Sequence, residues 1–204
     1  MLQGVQVAAT EEWDEYAERV LAAAEQQYSE FGLRRTSMDR IAEAAGVSRI
    51  TLYRRFANRE ALISAVVVRA FRQFIAEFDA EVSTIADPEA RFVRGVVVAA
   101  DQLSRDALLR RLVLTDPIEV LPLLTTEGAP LLMLSRAYVM GQLERARDDG
   151  MPIAGDLELL AELLVRLAHS LLLSAGSAFS GDEARLADFA RRSILPLLYG
   201  TADT

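Results

Sequence analysis

The chain has 204 residues, 51% of them hydrophobic, enough for a substantial core in one or two domains. It contains no cysteine, which excludes a disulfide framework, a thiolate nucleophile and a cysteine-based zinc site. Its 30 acidic residues outweigh 22 basic ones, all of them arginine, for a formal net charge of −8.

The N-terminal stretch MLQGVQVAATEEWDEY has neither a basic nor a long apolar segment, so it does not read as a signal peptide, and the cytoplasm is the expected compartment. Trp13, Tyr16, Ala17, Val20, Leu21, Ala24, Tyr28 and Phe31 recur at three- and four-residue steps and predict an amphipathic first helix stopped by Gly32. Thr36 and Ser37 offer an N-cap, and Met38, Ile41, Ala42 and Ala45 form a short apolar face that Gly46 ends. A second short helix is expected from about Ser48 to Arg55, and Asn58 caps a long one with Leu62, Val66, Ala70, Phe74, Phe78 and Val82 stepping by four. After Asp87-Pro88, further helices are expected at about 88–104, 106–114, 117–124, 128–148, 157–177 and 182–199. No period-2 alternation is long enough for a strand, so the fold class is all-α. The most apolar run, LELLAELLVRLAHSLLLSAG, is interrupted by Glu158, Glu162, Arg166 and His169, which fits an amphipathic helix and no membrane span.

Charge is distributed unevenly. Between Arg34 and Arg72 there are nine arginines against Asp39, Glu43 and Glu60, a local net of +6, so the remainder carries −14. A basic segment on an acidic body is the electrostatic footprint of a polyanion binder. Two short helices joined by a glycine-containing turn also make a helix-turn-helix. Ile41, Ala42, Ala45, Val47 and Leu52 can hold the pair at a fixed angle. The second helix can then project Arg49, Ile50, Thr51, Tyr53, Arg54 and Arg55, and a helix fits the major groove. Leu52 and Phe56 are expected in the core, and Arg40 and Arg69 as solvated charges.

The segment TSMDRIAEAAGVSRITLYRRFANREAL, Thr36 to Leu62, resembles the DNA-binding region of the tetracycline-repressor (TetR) family of transcriptional regulators. The matching elements are the Thr-Ser cap, IAEAAGVS, TLYRRF and NREAL, with Phe31-Gly32 before them. The resemblance implies that Arg49, Ile50 and Thr51 read base edges and that Tyr53 and Arg54 touch phosphate and sugar, with Arg55 able to do either. Thr36 and Ser37 suit one phosphate, and Asn58 and Arg59 another. It implies a division into a DNA-binding domain, residues 1–57 plus the start of the connecting helix from 58, and a regulatory and dimerisation domain, residues 58–204.

The partners expected are double-stranded operator DNA and a second copy of the chain, docked through helices 157–177 and 182–199 as a four-helix bundle. Leu160, Leu163, Leu164, Leu167 and Leu171 are assigned to the monomer core, and Ser170, Ser174 and Ser177 to a second, small-residue stripe. Phe74, Phe78, Phe92, Met133, Tyr138 and Met140 would favour a small apolar or amphipathic effector in the body, without any of them being assigned as a contact. No catalytic pattern, cofactor motif or metal site is recognised, His169 being the only histidine. The expected function is a sequence-specific regulator, a repressor released from DNA by its effector. A ligand-independent helical DNA-binding protein and an all-α enzyme are the alternatives.

Overall fold

The computed structural model describes residues 13–126, 128–173 and 182–200. These form eleven α-helices: α1 Glu15–Phe31, α2 Met38–Ala44, α3 Arg49–Arg55, α4 Arg59–Val82, α5 Pro88–Arg105, α6 Ala107–Thr115, α7 Pro117–Leu124, α8 Ala129–Asp148, α9 Leu157–Leu173, α10 Glu183–Phe189 and α11 Leu195–Tyr199. No strand occurs among the described residues. The predicted elements agree to within a residue or two, except that Ser174 and Ser177 lie outside the described residues and the last helix is interrupted. Between α10 and α11, Ala190–Ile194 forms a π turn. Pro196 follows it, and a proline can donate no hydrogen bond to the carbonyl four residues back, so the backbone widens there.

The chain divides into two compact units. The first comprises residues 1–73 and 106–131, so α6 and α7 fold with the N-terminal helices. Asp14 starts α1 by accepting from the Ala17 N–H at 2.8 Å, and Gly32, at φ 81°, ends it with its N–H on the Tyr28 carbonyl at 2.9 Å. Ala17, Val20, Leu21, Ala24 and Tyr28 turn inward, and α2 and α6 pack on α1. Two expected members of that apolar face stay outside: Tyr16 is 60% exposed, beneath the Arg19 guanidinium, and Phe31 lies half out, beside Arg40. Arg69, expected to be solvated, is instead paired with Glu18 at 3.0 Å and with Glu25, tying α4 to α1.

The second unit comprises residues 74–105 and 132–204. Its core gathers Val93 of α5, Leu143 and Ala146 of α8, Leu160 and Ala161 of α9, and Ala190, Ile194, Leu195 and Leu198 near the C-terminus. Arg94 bridges Glu81 and Glu183, each at 3.2 Å. Tyr138 donates to Asp79 at 2.6 Å, and Gln142 donates to the same carboxylate oxygen at 2.8 Å. Burial first, and then Asp79, raise the Tyr138 phenol pKa and keep it protonated. Leu164 and Leu167 pack against the core as expected, but Leu163 does not: it is 47% exposed. Leu159 and Leu163 are four residues apart and therefore share one face, turned away from the side that Leu160 and Ala161 bury.

Candidate nucleic-acid interface

The helix-turn-helix is built by short-range hydrogen bonds that its sequence encodes. Ser37 Oγ accepts from the Arg40 N–H at 3.3 Å and starts α2. Gly46 sits at φ 65° with open space around its Cα, and the Val47 N–H returns to the Ala42 carbonyl at 3.0 Å. Substitution there meets no steric wall, only the cost of a left-handed backbone. Gly46→Ala is accordingly expected to lower stability by about 1–2 kcal/mol, measurable by urea unfolding. Ser48 Oγ accepts from the Thr51 N–H at 3.1 Å and starts α3. The apolar side of α3 goes inward as predicted: Leu52 is fully buried and Phe56 nearly so, against a core that includes Ile41 and Ala42.

That packing leaves the opposite side of α3 open. Arg49, Ile50, Tyr53, Arg54 and Arg55 are exposed on this one helix, and Thr51 is half-buried. Ile50 is 81% exposed. A branched apolar side chain held out in water at the start of a helix gains nothing for the fold, yet suits contact with a thymine methyl. The Arg49 guanidinium is held from two directions. Its Nη1 donates to Asp39 Oδ2 of α2 at 3.2 Å, and it lies 5.4 Å from the centre of the Tyr53 ring.

The flanking candidates are placed differently. Ser37 and Asn58 are exposed at the starts of α2 and α4, and Asn58 Oδ1 caps α4 by accepting from the Ala61 N–H at 2.8 Å. Thr36 is buried, and its hydroxyl donates to the carbonyls of Gly32 at 2.9 Å and Gln27 at 3.2 Å, so its side chain serves the fold. Arg59 is half-buried and donates to the Leu33 carbonyl.

Two residues that hold this arrangement are not legible as such in the sequence. Asp39 reads as an ordinary first-turn acid, and only its place ten residues before Arg49, across a glycine turn, hints at a partner. Asp116 reads as the residue before a helix. It is 3% exposed, and its carboxylate accepts the N–H groups of Leu33 at 3.0 Å and Arg34 at 3.1 Å and the Thr115 hydroxyl at 2.7 Å. It thereby fastens the α6–α7 junction to the loop that leads into α2. Burial alone would raise its pKa, but the hydrogen bonds from Thr115, Arg34 and Leu33 and the Arg34 charge outweigh it, so the pKa falls below the ordinary aspartate value. Among the described residues no group of histidine or acidic side chains is placed to hold a metal ion, and no helix is long and apolar enough to cross a membrane.

Residues 20–66 match the family of bacterial regulatory proteins, tetR family. An uncharacterised HTH-type transcriptional regulator of Mycobacterium tuberculosis strain H37Rv, Rv1255c, is 29% identical over 184 residues, covering 88% of this chain and 86% of that protein. The crystal structure of the TetR family repressor AlkX from a Dietzia strain, implicated in biodegradation of n-alkanes, superimposes with a TM-score of 0.66 at 26% identity, covering 92% of this chain and 99% of that one. RolR in complex with resorcinol shares the fold, with a TM-score of 0.64 at 18% identity over 92% of this chain and 89% of its own. The similar proteins named here are transcriptional regulators, and none is described as an enzyme. With its two capped helices, glycine turn and outward-facing α3, the chain carries a helix-turn-helix that matches the tetR family of bacterial regulatory proteins, and over most of its length it is similar to HTH-type transcriptional regulators.

Proposed function

We propose that the protein is a dimeric repressor that reads its operator with α3 and leaves it when a small apolar or amphipathic molecule binds. The observation that carries this reading is the solvent-facing row on α3, with Arg49 and Ile50 beside Tyr53, Arg54 and Arg55. Arg49, Ile50 and Thr51 would meet base edges, while Tyr53 and Arg54 would meet the sugar-phosphate backbone and Arg55 either of the two. Ser37, Asn58 and the half-buried Arg59 would flank them on phosphates, and Thr36 would set their loop from behind. Residues 1–57, with the start of the connecting helix from 58, would carry the DNA contacts, and the rest of 58–204 the effector and the subunit contact. The protein would work in the cytoplasm, where its DNA is.

A single helix-turn-helix buries little surface. Two recognition helices set about 34–36 Å apart meet successive turns of one DNA face. The exposed Leu159 and Leu163 of α9 and Leu197 of α11 supply apolar surface for such a dimer. Replacing Leu159 and Leu163 together by arginine is expected to yield monomers in analytical ultracentrifugation and to weaken operator binding. A double variant that sediments as wild type would remove these helices from the subunit contact.

AlkX is a repressor, and RolR takes resorcinol in its crystals. Both support a ligand-released repressor. An effector acts here by binding the DNA-free form more tightly, and the coupling is reciprocal. Converting 99% bound to 1% bound needs about 5.5 kcal/mol of differential affinity. The test is fluorescence anisotropy with labelled duplex from upstream of the protein's own gene, against scrambled competitor at two salt concentrations. Resorcinol, a medium-chain fatty acid and an n-alkane are then added as probes. Binding that resists competitor and falls with one probe supports the reading. Binding lost equally to scrambled DNA, with the same salt dependence, points to a ligand-independent DNA-binding protein.

A further inference from the structure

We propose that Asp39 is a positioning residue for base reading: it holds the Arg49 guanidinium in place before DNA arrives and so sharpens discrimination at one base pair. The proposal rests on the reading of α3 as the recognition helix. Asp39 lies on α2, ten residues before Arg49 and across the Gly46 turn, so only the folded motif brings the two together. Asp39 Oδ2 accepts from Arg49 Nη1 at 3.2 Å, and Asp39 Oδ1 lies 3.2 Å from Nε. The Tyr53 ring, one helical turn along α3, limits the same guanidinium with its centroid 5.4 Å from Cζ.

The fold does not account for this pair. Both side chains are mostly exposed, 66% for Arg49 and 59% for Asp39, and an exposed ion pair contributes little to stability. The α2–α3 angle is already held by buried Ile41, Ala42 and Leu52. A carboxylate on a DNA-facing surface also repels phosphate, so it weakens binding to every sequence alike. A compensating gain in selectivity gives that charge a use. A free arginine samples many rotamers and can settle on any nearby phosphate or acceptor. One that is tethered through Nη1 keeps Nη2 and the second Nη1 hydrogen for a fixed position, where the O6 and N7 pair of a guanine matches their spacing.

The experiment is selection of duplexes from a random-sequence DNA library by the full-length protein, as wild type, Asp39→Asn, Arg49→Ala and the double variant. Anisotropy on the selected and scrambled duplexes follows. Arg49→Ala is expected to erase the preference at one base pair per half-site. Asp39→Asn is expected to reduce preference at that same pair by roughly 2–5-fold, the worth of an exposed ion pair, while binding scrambled DNA more tightly. The double variant should show the same base preference as Arg49→Ala alone, with scrambled DNA bound more tightly than by Arg49→Ala. If Arg49→Ala erases the preference and Asp39→Asn leaves it intact, Asp39 has no positioning role and the base reading stands. If Asp39→Asn tightens selected and scrambled DNA equally, Asp39 is only a repelling charge. If Arg49→Ala changes no preference, the assignment of Arg49 falls and the role of Asp39 falls with it.

Discussion

Replacing Asp116 with alanine is expected to lower stability by about 3 kcal/mol, since it strips the Leu33 and Arg34 N–H groups of a charged acceptor. For a chain of this length that corresponds to a fall of roughly 6–12 °C in the melting midpoint, measurable by circular dichroism. The loss follows from burial: Asp116 is 3% exposed, so water cannot easily replace the carboxylate at the Leu33 N–H. The pH dependence has a definite sign. The folded pKa of Asp116 lies below its unfolded value, so the folded state binds fewer protons. Its stabilising contribution is complete above the unfolded value, about pH 3.9, and is lost as pH falls through the lowered folded value. The gap between wild type and Asp116→Ala should therefore be constant near neutrality and narrow below about pH 4. Gly32→Ala attacks the same joint from the other side. A Cβ there would stand 2.5 Å from Asp116 Oδ2, at a φ of 81° that side chains avoid. A midpoint unchanged in Asp116→Ala would show that the joint contributes nothing to holding α6 and α7 against the loop before α2.

Replacing Arg49 with alanine is expected to cost about 1–3 kcal/mol of operator binding and to relax the preference at one base pair. Arg54→Ala should behave differently, weakening all sequences about equally and reducing the salt slope by about one. The contrast follows from position. Arg49 begins α3 and is held between Asp39 and Tyr53, whereas Arg54 lies in its last turn. A helix that enters the groove by its N-terminal end presents its first residues to bases and its later ones to the backbone. Competition anisotropy with the selected duplex and single-base variants separates the two outcomes. A uniform loss for Arg49→Ala would move it to the phosphate contacts.

Much of the molecule was legible before its fold was known. The three- and four-residue apolar spacing of α1, the serine cap at Ser37 and the start of α3 near Ser48 are local signals, and each appears where expected. So do the Gly46 turn and the Leu52–Phe56 core side of α3. A helix cap or a turn is decided within about four residues, so short sequence windows contain the physics. The exposed side of α3 was legible for the same reason: once Leu52 and Phe56 go inward, Arg49, Ile50 and Tyr53 have only the outside.

What the sequence by itself determined is therefore the helices, their ends, and which side of α3 faces out. Only the tertiary structure decided the partners of isolated charges and the surplus of apolar faces. Arg69 looks solvated in the sequence and is paired across α1 and α4. Thr36 looks like a surface cap, and its hydroxyl is buried under Gly32 and Gln27 carbonyls. Leu163 looks like core, and it is exposed because α9 carries more leucine than one buried side can take. Asp116 meets Leu33 from 83 residues away. A contact of that separation leaves no local pattern, because it depends on where α6 and α7 dock, and docking is settled by the whole packed surface.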